Sequence, residues 1–256
     1  MWGNLLNICI NTSNLSNLAA KEGGLEPLLI KLIGLDLKSI ELDEESAKNR
    51  EHIHQIFNIV RENGGSIVAL TLKLNILGGN VKNDERYFNE VKNWIRFCGE
   101  NGCRVLRLKA VPARGKEYTE EDFNLLYRNL LNLLSSAEKN NVKISIDADE
   151  SAYLKMERLT SMVEDIGSEN IGLTLSIKDV KRIDERILEK MLPLVNHVIV
   201  SQNNLSNPEK NTLRKILNAL YSAFYSGHVS IEFTNVKSVE DLTNCVKTLK
   251  EILNQD

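Results

Sequence analysis

Charged side chains alternate with apolar ones in several short stretches of this 256-residue sequence. Arg107 and Lys109 alternate with leucines in 104–110, and Asp147 follows the same pattern in 142–148. Carboxylates can move a proton at a carbon next to a carbonyl group, and cations can hold a phosphate or polarise an oxygen. The candidate acids and bases are Glu41, Asp147 and Glu232. The candidate ligand-binding residues are Lys73, Arg107, Lys109, Asp149, Ser176 and Lys178.

Eight short apolar stretches are the predicted β-strands that carry these residues. In a strand, successive side chains point to opposite faces, so a half-apolar strand shows its apolar residues at every second position. The predicted strands are 5–11, 38–43, 66–74, 104–110, 142–148, 171–177, 196–202 and 228–234.

The segments between the strands are predicted helices. In 122–137 the apolar side chains recur at helical spacing and form one stripe. Thr119 and Ser238 are predicted helix starts, and Thr119 is followed by Asp122 in the spacing of a capping box. Glycines stand where helices give way to strands and are expected to take left-handed conformations there, namely Gly64, Gly102, Gly167 and Gly227.

Eight strand–helix units in a chain of this length predict an α/β fold, a single (β/α)8 TIM barrel forming one domain over 1–256. The competing fold is an open, doubly wound sheet, which usually has a glycine-rich phosphate loop after its first strand. Here the first strand leads into Asn11-Thr12-Ser13-Asn14, which has no such loop. The barrel is therefore the preferred interpretation.

The alternation also predicts which side chains face the inside of the barrel. The apolar set packs on the surrounding helices, so the polar set faces inward. Strand 196–202 is apolar in both sets until Ser201, so its facing is not predicted. The inward charges have two interpretations: an internal salt-bridge network without a ligand, or a polar site for a small anionic or hydroxylated ligand. The second is preferred because barrel active sites form at the carboxyl ends of the strands.

Composition and charge argue against several classes of protein. The net charge of −3 argues against a basic surface for nucleic acid, and no apolar run reaches the roughly 20 residues of a membrane span. The residues after Met1 do not have the pattern of a secretory signal. The four cysteines form no CxxC pair and are expected to be buried, reduced thiols. We expect a cytoplasmic protein, and the sequence is compatible with a homo-oligomer.

Five segments, taken in order, resemble the xylose-isomerase-like group of sugar isomerases, epimerases and endonucleases. They are IGLDLKSIEL at 33–42, WIRFCGENGCRVLR at 94–107, AEKNNVKISID at 137–147, NIGLTLS at 170–176 and VSIE at 229–232. The resemblance implies a TIM barrel that acts on a small polar or phosphorylated carbohydrate-like ligand. It covers most of the chain.

The resemblance also implies a divalent metal such as Mg²⁺ or Mn²⁺, held by two glutamates, an aspartate and a histidine on strands five to eight. Only the last glutamate is kept, as Glu232, while the first falls on the shorter Asp147. The aspartate falls on Ser176 and the histidine near Ile199. We therefore expect a degenerate site without a tightly bound metal.

Histidines do not replace the lost ligands. His52 and His54 are two apart on a predicted helix and point to different sides, and His197 and His228 begin strands at the end opposite the expected site. Acid–base chemistry would therefore fall to carboxylates or lysines.

The leading hypothesis is a divergent sugar or sugar-phosphate isomerase or epimerase. A second is a lysine-based lyase or aldolase, since Lys73, Lys109 and Lys178 are placed inward. A third is a non-catalytic binding or assembly barrel that has lost its metal. A fourth, abasic-site endonuclease, would need a histidine-rich zinc site and basic loops, which this sequence does not have.

Overall fold

The computed structural model describes residues 6–77, 85–112, 117–148, 156–177, 185–206 and 209–254. The strands are β1 (Asn7–Asn11), β2 (Ser39–Asp43), β3 (Ser66–Asn75), β4 (Val105–Ala110), β5 (Lys143–Ala148), β6 (Ile171–Ser176), β7 (Val195–Ser201) and β8 (His228–Glu232). The helices within these ranges are α1 (Ser16–Lys21), α2 (Leu25–Gly34), α3 (Arg50–Glu62), α4 (Glu85–Glu100), α5 (Glu120–Asn140), α6 (Met156–Ile166), α7 (Glu185–Met191), α8 (Glu209–Ser222) and α9 (Val239–Asn254).

The eight strands form one closed barrel in the order in which they occur along the chain. Neighbouring strands whose registers are defined run parallel, as in β1 with β8 and β4 with β5. Helices alternate with the strands, so the (β/α)8 TIM-barrel prediction is confirmed. Every predicted strand agrees with the observed one to within two residues at each end.

Residue contacts divide the chain into two compact units. The first unit contains the described residues of Met1–Leu70, Ser176–Lys178 and Val198–Asp256, and the second those of Thr71–Leu175 and Asp179–His197. The extent of a single domain over 1–256 stays a prediction.

The apolar face of each strand packs outward. In the first unit Ile10, Ile40 and Ile231 are at most 1% exposed and lie at matching register positions of β1, β2 and β8. In the second unit Leu106 of β4 and Ile144 of β5 are likewise register partners, and both are 0% exposed. Most of the alternate residues of the same strands are polar, such as Glu41, Arg107 and Asp147, as the period-two pattern predicts.

Most residues predicted to begin or end helices make the expected capping hydrogen bonds or adopt the expected backbone conformation. Thr119 and Asp122 form the reciprocal capping box at the start of α5. Ser238 caps α9 by accepting from the backbone N–H of Asp241 at 3.1 Å. Gly64, Gly102 and Gly167 have positive φ, as predicted.

Gly227 is a correction, because it does not have a positive φ. The left-handed residue after α8 is Phe224, with φ of 61°. Gly227 serves a different purpose: a Cβ there would lie 2.5 Å from the Tyr225 hydroxyl oxygen. A glycine is therefore needed for close approach and not for its backbone conformation.

A buried histidine ties α3 to α2 in the first unit. Nδ1 of His52 accepts from the backbone N–H of Lys48 at 2.9 Å, so the proton of the neutral ring is on Nε2. Nε2 lies 2.7 Å from Oε1 of Glu26 and donates to it. His54 is only partly buried, so the two histidines do point to different sides.

We predict that Glu26→Gln lowers the free energy of unfolding at pH 7 by about 0.5 kcal/mol, since the amide is the weaker acceptor and water screens this part-exposed group. A hydrogen bond from its own backbone, followed by the bond from His52, lowers the pKa of Glu26 below the usual 4.5. A lowered folded-state pKa gives stability that is complete above about pH 4.5 and is lost as the pH falls through the folded-state pKa. Urea unfolding at pH 7 and pH 3 should show a smaller difference from wild type at pH 3 than at pH 7.

Glu62→Gln is the control, since Glu62 is exposed at the end of α3. A loss in Glu26→Gln that is equally large at pH 3 would contradict the role of the Glu26 charge.

Candidate functional site

A buried arginine is the central charge of the second unit. Arg107 is 6% exposed on β4. Its Nη1 donates to the Thr71 hydroxyl oxygen at 3.1 Å, and its Nη2 donates to Oδ2 of Asp147 at 2.8 Å. Thr71 lies on β3 and Asp147 on β5, so the guanidinium bridges both neighbouring strands. Charge-assisted bonds of this kind are among the stronger ones in proteins and hold both groups in place.

The pairing of β4 with β5 places these groups on one face. Arg107 is in register with Ser145, and Lys109 with Asp147. The hydroxyl group of Ser145 is itself bonded to that of Thr174 at 2.7 Å, on β6. Predicted inward-facing residues of four consecutive strands therefore contact one another, as the alternation required.

Two lysines add positive charge to the same face. Lys109 is half-buried, and its ammonium group makes no hydrogen bond or ion pair with the described residues. Lys73 has the same strand parity as Thr71 and is exposed near the carboxyl end of β3. Among the described residues of this face, Lys73, Arg107 and Lys109 are cations and Asp147 is a carboxylate.

A buried carboxylate is the central charge of the first unit. Glu41 on β2 is 0% exposed, and its Oε2 accepts a short hydrogen bond from the hydroxyl group of Ser230 on β8. Strand β1 lies between these two strands. The bond therefore passes over Cys9, which is in register with Ser230, and all three side chains share a face.

A tyrosine lies close to this carboxylate. Burial, with further contributions from Cys9 and Glu41, raises the pKa of Tyr225 well above its usual range. The phenol therefore stays protonated and donates to the backbone carbonyl of His228 at 2.7 Å. Glu41 and Ser230 are both 0% exposed, so this hydrogen bond lies in the interior of the first unit.

The carboxyl end of β8 holds the second carboxylate of the first unit. Glu232 is half-buried and in register with Ser201 of β7, so Ser201 and Ile199 face the same side as Glu232 and Ser230. This pairing settles the facing of β7, which its two-sided apolar sequence did not predict.

Gln202 is a site residue that the sequence did not single out. Its Oε1 accepts from the backbone N–H groups of Thr234 at 3.1 Å and Asn235 at 3.2 Å, directly after β8. It therefore fixes the segment that follows Glu232. The available signal was the change from apolar residues to the polar pair Ser201-Gln202.

The remaining predicted ligand-binding residues are only partly described. Ser176 is half-buried at the end of β6. Asp149 and Lys178 lie outside the described residues.

The described side chains do not suit a divalent metal ion. Within the described ranges no group of three or more His, Cys, Asp or Glu side chains could hold an ion. Asp147 is bonded to a guanidinium group, and Glu41 is buried against Ser230. His197 is fully buried within β7. Hard cations need several oxygen ligands at short range, which these groups do not provide.

The cysteines follow their prediction except for one. Cys9, Cys98 and Cys103 are buried free thiols, and Cys245 is half-exposed. A hydrogen bond with Cys103, together with burial, raises the pKa of Cys98, so that thiol stays protonated.

Two grooves in the described structure lie away from the inward-facing charges. A groove of about 410 Å³ in the first unit is lined by Asn7 and Ser39, at the amino ends of β1 and β2. A groove of about 770 Å³ in the second unit lies between α4 and α5 and is lined by Lys92 and Asn132. Neither includes a predicted site residue.

Among the described residues, no helix has both the length and the apolar character needed to cross a membrane.

Comparisons with known proteins agree with this fold. A family model described as "Xylose isomerase-like TIM barrel" matches residues 32–249. A search of curated proteins finds no match.

Solved structures resemble nearly the whole chain. A xylose isomerase-like TIM barrel protein from Mycobacterium smegmatis in complex with magnesium has 15% identity and a TM-score of 0.71, covering 97% of this chain and 98% of its own. A D-tagatose 3-epimerase-like protein has 20% identity and a TM-score of 0.72, covering 96% and 97%. An IOLI protein with a bound zinc atom has 16% identity and a TM-score of 0.71, covering 97% and 98%. At such identities the likeness shows the fold alone.

We predict that Ser230→Ala lowers the free energy of unfolding by about 1–3 kcal/mol, because it leaves the buried carboxyl group of Glu41 without its hydroxyl donor. Ser222→Ala is the matched control, since the Ser222 hydroxyl is exposed and donates to a carbonyl of its own helix. The measurement is the urea midpoint of each variant. Equal midpoints for the two variants would show that the buried bond is not important for stability.

Proposed function

The chain belongs to the xylose isomerase-like TIM barrel family, and from this premise we propose that it is a divergent sugar or sugar-phosphate isomerase/epimerase-like protein. Its ligand would bind at the carboxyl ends of the strands, where barrel proteins place their active sites. The epimerase-like relative of similar fold supports this class of function.

One observation carries the proposal: the buried Arg107 is fixed between Thr71 and Asp147, next to the half-buried Lys109. A sugar offers hydroxyl and carbonyl oxygens, and a sugar phosphate adds an anion. A fixed guanidinium, and an ammonium group that has no carboxylate partner among the described residues, suit both kinds of oxygen. If the inward charges formed only an internal salt-bridge network, Lys109 would also be expected to pair with a carboxylate.

The proton transfer would be done by carboxylates. Isomerisation and epimerisation remove a proton from the carbon next to a carbonyl group, leaving an enediolate, and return a proton to a carbon of that enediolate. Asp147 and Glu232 are the candidate bases, each half-buried at the carboxyl half of its strand. Cations lower the barrier by stabilising the negative enediolate oxygen, which is the proposed role of Arg107 and Lys109.

The other predicted residues have supporting roles in this proposal. Glu41 is proposed to hold Ser230 in place through their hydrogen bond, since both side chains are fully buried. Lys73, Asp149, Ser176 and Lys178 are proposed to contact ligand oxygens.

A non-catalytic binding barrel is the second candidate function. It is favoured by the lack, in the described part of the chain, of three clustered metal-ligating side chains. Such a protein would bind a carbohydrate-like ligand without exchanging its protons.

A Schiff-base lyase or aldolase is the third candidate. The Lys109 ammonium group, without a carboxylate partner among the described residues, favours it. Such an enzyme would be trapped by borohydride together with a carbonyl substrate.

We predict that the protein exchanges a carbon-bound proton of one member of a panel of free and phosphorylated pentoses and hexoses for deuterium in D₂O, as followed by NMR. Asp147→Asn or Glu232→Gln should slow this exchange by at least about 100-fold, the typical contribution of a general base. Glu240→Gln is the control, because Glu240 is exposed on α9.

Binding without exchange would identify the non-catalytic barrel, and a mass increase after borohydride treatment would identify the lysine mechanism. Neither binding nor exchange across the panel would contradict the proposed function.

A further inference from the structure

We propose that the guanidinium group of Arg107 takes the place of a divalent metal ion at Asp147, and is the resident cation that holds an anionic ligand. The inference rests on the proposed function in that it concerns the same site. It starts from a disagreement: relatives of similar fold bind magnesium or zinc, whereas the described donor groups of this chain do not suit such an ion.

The difference from the metal-binding proteins of similar fold is clearest at Asp147. By resemblance it stands where the group has the metal-binding carboxylate of strand five. Its Oδ2 lies 2.8 Å from Nη2 of Arg107. A metal ion bound to this oxygen, at about 2.0–2.6 Å, would lie beside a fixed positive charge. The repulsion opposes binding of the ion and favours the guanidinium that is already there.

Arg107 is held too firmly to make room for an ion. Its side chain is 7% exposed, and Thr71 binds the guanidinium from the neighbouring strand at 3.1 Å. Rotation away from Asp147 would break both bonds and deprive a buried charge of these two partners, which is costly. The pair is therefore part of the barrel interior and not a surface ion pair that opens easily.

The neighbours of Asp147 are also unsuited to a metal ion. Lys109 is in register with it on β4 and contributes a second positive charge. The hydroxyl groups of Ser145 and Thr174 are bonded to each other at 2.7 Å. Within the described residues of the second unit, Asp147 thus faces cations and hydroxyl groups in place of the additional carboxylates or imidazoles that a metal site requires.

With a guanidinium group in place of a metal ion, ligand binding at the site depends differently on pH and on chelators. It keeps its charge at all physiological pH values, and its planar set of N–H donors matches a phosphate or carboxylate. It cannot be removed by a chelator. Ligand binding at this site should therefore be independent of divalent ions and selective for anionic ligands.

The first arm of the test measures the metal directly and needs no substrate. Binding of Mn²⁺ to the purified wild-type chain and to Asp147→Asn is followed by electron paramagnetic resonance. We expect the two proteins to bind Mn²⁺ equally, within about twofold, whatever sites lie elsewhere in the chain. A site of about one ion per chain that Asp147→Asn weakens tenfold or more would overturn the proposal.

The second arm measures the anion, with inorganic phosphate as the probe in calorimetric titrations with and without EDTA. We expect wild-type binding to be unchanged by EDTA and to weaken at least tenfold in Arg107→Met. Arg104→Met is the matched control, since Arg104 is an exposed arginine whose guanidinium donates to the backbone carbonyl of Asn141, and this variant should bind phosphate as wild type does. Loss of binding in EDTA, absence of phosphate binding to wild type, or equal affinity in Arg107→Met would overturn the proposal.

Circular dichroism shows whether each variant folds. If Arg107→Met does not fold, Arg107→Lys replaces it, since lysine keeps the charge but loses the planar donor set, and the same weakening relative to wild type is expected. The metal arm is independent of the sugar panel, so a protein that exchanges no sugar proton could still show the predicted equality of Mn²⁺ binding. The two proposals can therefore fail separately.

Discussion

A charge inside a protein must be compensated where it lies, and Arg107 is the strongest example of this constraint here. The period of two along β4 turns its side chain inward between two apolar neighbours, and the side chain has almost no contact with water. Burial of an ion costs several kcal/mol unless partners replace its water. Thr71 and Asp147 are those partners, and they come from the two adjacent strands. The types of the inward-facing residues on β3, β4 and β5 therefore depend on one another.

The first unit obeys the same constraint with the opposite charge. Glu41 is fully buried, and Ser230 reaches it across the intervening strand. Tyr225, whose pKa is raised by burial and by its acidic neighbours, stays a neutral hydrogen-bond donor. Each unit thus holds a charged side chain in its interior, Glu41 in the first and Arg107 in the second, and hydrogen-bonds it to neutral or oppositely charged side chains. The half-buried Lys109 and Glu232 lie nearer the carboxyl ends of their strands.

The fold could be predicted closely because two local signals agreed. Alternation identified the strands and their faces, and helical spacing with the Thr119–Asp122 box identified α5. The prediction was less accurate where the same residue pattern is compatible with two structures. β7 is apolar in both sets, so only its pairing with β8 assigned its face. Gly227 was assigned to a left-handed turn, whereas it is needed beside Tyr225 and the turn is made by Phe224. The site was predicted as a set of residue types, but the partners of Arg107 and Glu41 depend on the curvature and register of the barrel, which no local pattern encodes.

The central claim is that Arg107 and Asp147 compensate each other, and a double-mutant cycle measures this most directly. The free energy of unfolding is determined for wild type, Arg107→Met, Asp147→Ala and the double variant. The account predicts a coupling energy of about 1–3 kcal/mol, the range for a hydrogen bond between charged groups in contact. Effects that add to within about 0.5 kcal/mol would contradict it, because the two side chains would then be independent of each other.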